Sequence, residues 1–142
     1  MSDAAGPAAQ SATATPTLTE EAIAALVRRF YDMARADPVL GPSFAGITDW
    51  EEHVVIIERF WASALLGTRT YKGNPFMAHV DLDLTPKSFT RWLDLFRVAA
   101  DQVLPPVHAG QAVAKANHMA RSLTAGLFAV PGRKYQPPAY TD

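Results

Sequence analysis

Four histidines, His53, His79, His108 and His118, hold most of the metal-ligating and acid–base capacity of this 142-residue chain, which contains no cysteine. The missing thiol excludes disulfides, thiolate metal sites, iron–sulfur clusters, thiol nucleophiles and any cofactor tethered by thioether bonds. A metal would have to be held by His, Asp, Glu, Tyr or Met. No histidine has a second one three or four residues away, and zinc takes three or four protein ligands. The stretch NPFMAHVDLDLTP, residues 74–86, sets His79 alone among Phe76, Met77, Val80 and Leu82, between Pro75 and Pro86. An imidazole in that setting is either satisfied by backbone inside a core or left to ligate. Asp81 and Asp83 beside it have a spacing common in turns and make an unconvincing pair for glycoside or peptide hydrolysis. There is no glycine-rich phosphate loop and no serine elbow. His108, in a polar first turn after Pro105 and Pro106, and His118, beside Asn117, read as structural or solvated positions.

Composition narrows the class further. Apolar residues make up 49% and charged residues 19%, a balance typical of a globular domain. The length favours one domain with a single core. A net charge of −1 without a basic stripe argues against nucleic acid as a partner. No segment approaches the roughly 20 apolar residues needed to cross a bilayer, and the first residues lack the basic and apolar regions of a secretory signal. We read the chain as cytoplasmic, with no membrane partner.

The elements that must position these side chains are helical. Residues 1–17 are Ala, Ser, Thr, Pro and Gly with almost no large apolar side chain, and are expected to form a disordered tail. Residues 18–130 form the domain, and the proline-rich 131–142 an irregular tail. Thr19 is a hydroxyl cap, followed by Glu20 and Glu21. Ile23, Leu26, Val27, Phe30, Tyr31 and Ala34 recur at three- and four-residue steps, as on an amphipathic helix. Pro38 ends it. A second helix runs through TDWEEHVVIIERFWASALLG, with Thr48 or Asp49 as cap and Gly67 as stop; its wide apolar face predicts deep burial. Residues 68–85 form a long bridge with one short helix at 75–80. Thr85 and Pro86 open a third helix to Leu104. Pro106 opens a fourth, carrying Val107, Val113, Met119, Leu123, Leu127 and Phe128. The fold class is all-α, and so long a bridge in a compact domain is usually functional.

One histidine is too few for zinc but enough for a haem iron, whose ring already supplies four nitrogens. Tyr31, His53 and Trp92, on three other elements, are suitable company for His79. Together FYDMARADPVLGPSF, TDWEEHVVIIERFWASALLG, YKGNPFMAHVDLDL and FTRWLDLF resemble the truncated haemoglobins, specifically group III, over residues 19–128. The resemblance implies a globin-like, two-over-two helical sandwich around one haem b (iron protoporphyrin IX). It implies His79 as the iron ligand, with Tyr31, His53 and Trp92 on the ligand-binding side, Ile57 one turn beyond His53, and Phe44 at the haem edge. Haem is a large apolar plate, and Phe44, Ile57, Phe60, Leu65, Met77, Leu95 and Phe96 are candidates to line its slot. The second nitrogen of the His79 ring needs an acceptor. The Pro75 carbonyl lies one helical turn back; Asp81 or Asp83 in that role would make the iron more electron-rich. Arg69, Tyr71, Lys72 and Arg91 are near candidates for the propionates.

The implied ligand is a diatomic: dioxygen, nitric oxide or carbon monoxide. Nitric oxide or peroxide redox chemistry is the sub-reading favoured by so polar a pocket, and it requires an electron-donor reductase. A phenol, an indole and an imidazole left without partners are costly when buried, so the empty pocket is expected to be wet or its donors mutually bonded. Two rivals come from other classes. In a haem-free helical protein-interaction domain, His79 is a satisfied core residue. In a non-haem iron site, His53, His79 and a nearby acid form a facial triad.

Overall fold

The computed structural model describes residues 17–80, 82 and 84–129. The two tails, apart from Thr17, and both Asp81 and Asp83 lie outside the described residues. Among the described residues five α-helices follow one another: α1 (Glu20–Ala36), α2 (Trp50–Leu66), α3 (Pro75–Val80), α4 (Pro86–Val103) and α5 (Pro106–Leu127). A 3-10 turn at Gly41–Phe44 joins α1 to α2. No strand occurs among the described residues.

Helices α1 to α4 start at side-chain caps, and α5 starts at Pro105 and Pro106 without one. The Thr19 hydroxyl accepts from the Ala22 N–H at 3.1 Å. At α2 the cap is Asp49, not Thr48: its Oδ1 accepts from the Glu52 N–H at 3.0 Å. Gly67 closes α2 in the left-handed conformation, φ 74°. The Asn74 side chain accepts from the Met77 N–H at 3.2 Å, opening the six-residue α3. At α4 the Thr85 N–H donates to the Ser88 hydroxyl at 3.0 Å.

Helix α4 packs on α1 and α5, and α2 packs on the same two helices. The core gathers at their centre. Phe30 is 2% exposed. It meets Trp92 edge to face at 5.4 Å and Phe96 at 5.8 Å. Burying such a side chain contributes about 1.5–3 kcal/mol.

Three expectations are corrected. Helix α2 is not deeply buried: only Val54, Trp61 and Ala62 are fully covered, and Ile56 is 43% exposed. Its α-helical neighbours are α1 and α5, so part of its apolar surface stays open. On α5 the buried stripe is Ala109, Ala112, Ala116, Ala120, Leu123 and Leu127, and Val107 is exposed. Small side chains let α4 and α5 approach closely, and that sets the register of the helix. His108, expected in a polar turn, is buried with this stripe.

An ion pair between the buried Asp37 and the exposed Arg91 ties the start of the site to α4. Asp37 caps α1, and Pro38 follows it. Its Oδ1 accepts from Arg91 at 2.6 and 2.8 Å, and its Oδ2 accepts from the N–H groups of Val39 and Leu40 at 3.0 and 3.1 Å. The carboxylate is buried and fully bonded, so the turn carrying Phe44 is anchored one residue before Trp92.

Candidate functional site

A cleft opens between the 3-10 turn, α3, α4 and α5. Its enclosed space is about 80 Å³. Tyr31, Phe44, His79 and Trp92 all line it, so residues from four separate elements meet there. Leu40, Leu82, Leu84, Phe89, Met119 and Leu123 make most of the rest of the wall apolar.

His79 is set by the short helix that carries it. Six residues cannot hold a helix by themselves. Val80, 6% exposed, docks α3 into a cluster with Phe89, Ala120, Leu123 and Leu127. His79 Nδ1 lies 2.6 Å from the Pro75 carbonyl oxygen. A carbonyl only accepts, so Nδ1 carries the proton and Nε2 keeps its lone pair. The His79 ring stands 6.2 Å from Phe89. This is a fixed tautomer with one nitrogen left for a ligand, the arrangement that metal-binding imidazoles take. The carboxylate alternative, Asp81 or Asp83, falls outside the described residues.

Across the cleft the rings interlock. Tyr31 meets Phe30, Phe44 and His53 edge to face at 4.9, 5.5 and 5.7 Å. Burial pushes the Tyr31 phenol above its ordinary pKa, so it stays a neutral donor. His53 is half-buried on α2 and does not line the cleft; it touches Tyr31 and Trp50, the latter at 5.4 Å. Desolvation lowers the His53 pKa, keeping the ring neutral. Its Nε2 is buried with no hydrogen-bond partner among the described residues. Among the described residues no hydrogen bond joins Tyr31, His53 and Trp92. The Arg35 guanidinium sits 3.9 Å over the Trp50 ring.

Other candidates are placed elsewhere. Phe96 is 1% exposed and stacks on Trp61 and Trp92 inside the core. Ile57, Phe60 and Leu65 pack half-buried on the main core and do not line the cleft, and neither does Leu95, a core residue. Met77 is 43% exposed. The cleft residues on α5, Met119, Ala120 and Leu123, were not among the site candidates, because their spacing is that of any buried helix face. Arg91 is already paired with Asp37. Among the described residues no group of three His, Asp or Glu side chains is placed to hold a metal, as a facial triad would need.

A model of the bacterial-like globin family matches residues 19–125. This chain belongs to that family. The globin is 43% identical to the group 3 truncated hemoglobin ctb of Campylobacter jejuni over 86 residues, 56% of this chain and 68% of that one. The crystal structure of group III truncated hemoglobin from Campylobacter jejuni matches it with a TM-score of 0.72 and 34% identity, over 78% of this chain and 91% of that one. Chlamydomonas reinhardtii THB4 matches at a TM-score of 0.55 and 24% identity, over 73% and 84% of the two chains, a likeness of fold alone. The group III resemblance and the truncated globin fold both hold. As a globin, the chain is a haem-binding protein. No helix among the described residues is long and apolar enough to cross a membrane.

Proposed function

We propose that this globin holds haem b non-covalently through His79 and binds dioxygen or another diatomic ligand between the iron and Tyr31 and Trp92, with His53 packed behind Tyr31. The observation that carries this reading is the His79 tautomer. Nδ1 donates to Pro75 and leaves Nε2 as the ligating nitrogen, in an apolar cleft also lined by a phenol and an indole.

Haem held there by His79 would supply an iron able to take a diatomic ligand. The protein does the rest. The carbonyl partner of His79 orients the ring without the negative charge a carboxylate would bring, which suits ligand retention more than bond cleavage. Tyr31, kept protonated by burial, donates to the partly negative ligand. The Trp92 N–H adds a second donor. The apolar lining excludes water, which strengthens both bonds. Nitric oxide turnover on this frame additionally needs an electron-donor reductase. A cytoplasmic location agrees with a chain that lacks cysteine.

The test is the ultraviolet–visible spectrum of the purified protein beside His79→Ala, in ferric, ferrous and carbon-monoxide forms. A Soret band in the wild type that is lost or disrupted in the variant is the expected result. A colourless protein after haem is offered would sink the reading and favour the haem-free interaction domain. Full haem retention by His79→Ala would remove His79 as the ligand.

A further inference from the structure

Helix α3 carries His79, and among the described residues the helix it packs on is α5. Phe76 and Val80 lie four residues apart, on one face of α3. Val80 is buried with Phe89, Ala120, Leu123 and Leu127, and Phe76 packs half-buried against the same cluster. The Phe76 ring lies over Gly126 of α5. A Cβ at 126 would fall 2.6 Å from the ring Cε1 and 3.3 Å from its Cζ. Carbon atoms in contact sit about 3.5–4.0 Å apart, so that methyl would push the ring back by about 1 Å.

No backbone demand explains this glycine. It lies inside α5, where glycine is less stable than alanine. Its φ is not positive, so it is not a helix-ending glycine of the kind found at Gly67. Gly110, the other glycine of α5, would meet nothing within 4 Å if it carried a Cβ. The close approach of Phe76 is what distinguishes position 126.

The short helix transmits that approach to the imidazole. The Asn74 carbonyl accepts from the Ala78 N–H at 3.0 Å, and the Asn74 side chain accepts from the Met77 N–H at 3.2 Å. His79 Nδ1 donates to the Pro75 carbonyl at 2.6 Å. The ring is thus tied to the frame of its own helix, and Phe76 and Val80 seat that frame on α5. Pushing Phe76 away tips α3 about Val80 and carries His79 with it. A shift of about 1 Å is twice the roughly 0.5 Å within which a binding group must be held.

We infer that Gly126 is a positioning residue for the haem ligand: by leaving room for the Phe76 ring on α5, it sets where α3 holds the His79 imidazole and how firmly that nitrogen holds iron. The inference rests on the haem reading above. Gly126 does not line the cleft and acts through Phe76 and α3.

The experiment compares haem-loaded wild type, Gly126→Ala and Gly110→Ala. Both substitutions add one methyl and the same helix preference to α5, and only the one at 126 meets a ring. Two quantities are read: the rate of haem loss to an excess of a haem-accepting protein, and the iron–imidazole stretching frequency of the ferrous form by resonance Raman. A general loss of stability would leave that frequency in place. Gly126→Ala should shift it and lose haem about tenfold faster, equivalent to about 1.4 kcal/mol. Gly110→Ala should match the wild type in both. Leucine at 76 is shorter, so adding Gly126→Ala to Phe76→Leu should change neither quantity further. If Gly126→Ala fails to fold, Phe76→Leu alone decides, since loss of the seated ring should also shift the stretch. No Soret band in the wild type means the haem reading has failed. A Soret band with the wild-type stretch in Gly126→Ala means that the haem reading stands and the positioning role has failed. An equal effect in Gly110→Ala would overturn the inference. So would a Gly126→Ala effect that persists beside Phe76→Leu, or a wild-type stretch in Phe76→Leu itself.

Discussion

His53→Leu probes the one orphaned buried nitrogen in the described structure. Leaving a buried donor or acceptor unpaired costs about 1–3 kcal/mol, and leucine removes that cost. The substitution also removes ring contacts with Trp50, Tyr31 and Phe44 at 5.4, 5.7 and 6.5 Å. Such contacts are each worth about 0.5–1.5 kcal/mol. The two effects oppose each other and are of similar order, so a single stability value decides nothing. The pH dependence decides. Desolvation holds the folded His53 pKa below its ordinary value. Between the two pKa values the unfolded chain binds more protons than the folded one. Stability is therefore fully present above about pH 6.5 and is lost as pH falls toward the lower folded value. The ceiling is about 1.4 kcal/mol per pH unit, and a half-exposed ring delivers only part of it. Leucine has no such slope. Urea unfolding of the haem-free protein at pH 7.5 and 5.5 should show the variant gaining on the wild type as pH drops. The other histidines are common to both proteins and cancel. Parallel pH curves, or a gap that opens in favour of the wild type, would refute the placement of His53.

The other predictions address the ligand, the core and the anchor. Tyr31→Phe should speed dioxygen dissociation about tenfold, because one hydrogen bond near 1.4 kcal/mol is a factor of ten; stopped-flow kinetics with an unchanged off-rate would remove Tyr31 from the ligand-facing set. Phe30→Ala should cost about 3–5 kcal/mol in urea unfolding, since the ring is 2% exposed and packed on Trp92 and Phe96; a loss well below this would show a core able to collapse around the gap. Arg91, and then the Leu40 and Val39 N–H groups, hold the Asp37 carboxyl below its ordinary pKa despite burial. Its stabilisation is present above about pH 3.9 and lost as pH falls through the lower folded value. Asp37→Asn should flatten the acid side of the stability curve, and a circular-dichroism acid titration with the same steepness as wild type would contradict it.

Local chemistry decided much of this protein before any packing. Thr19, Pro38, Gly67, Pro86 and Pro106 punctuate the chain, because caps and prolines act within a turn of themselves. His79 stood out for the same reason: it is a lone imidazole in the long bridge, and its acceptor, Pro75, is four residues away. Tertiary structure decided what depends on partners far along the chain. The alanine stripe of α5 is unremarkable until α4 is laid against it, so Met119 and Leu123 gave no sign of lining a cleft. The pairing of Asp37 with Arg91 spans 54 residues, and a surface carboxylate has the same sequence pattern. Phe96 was a candidate wall of the haem slot by residue type, and packing turned it inward against Trp61. Residue type and spacing can nominate a side chain for a site, but which way its helix face turns depends on the neighbours that bury it, and those come from elsewhere in the chain.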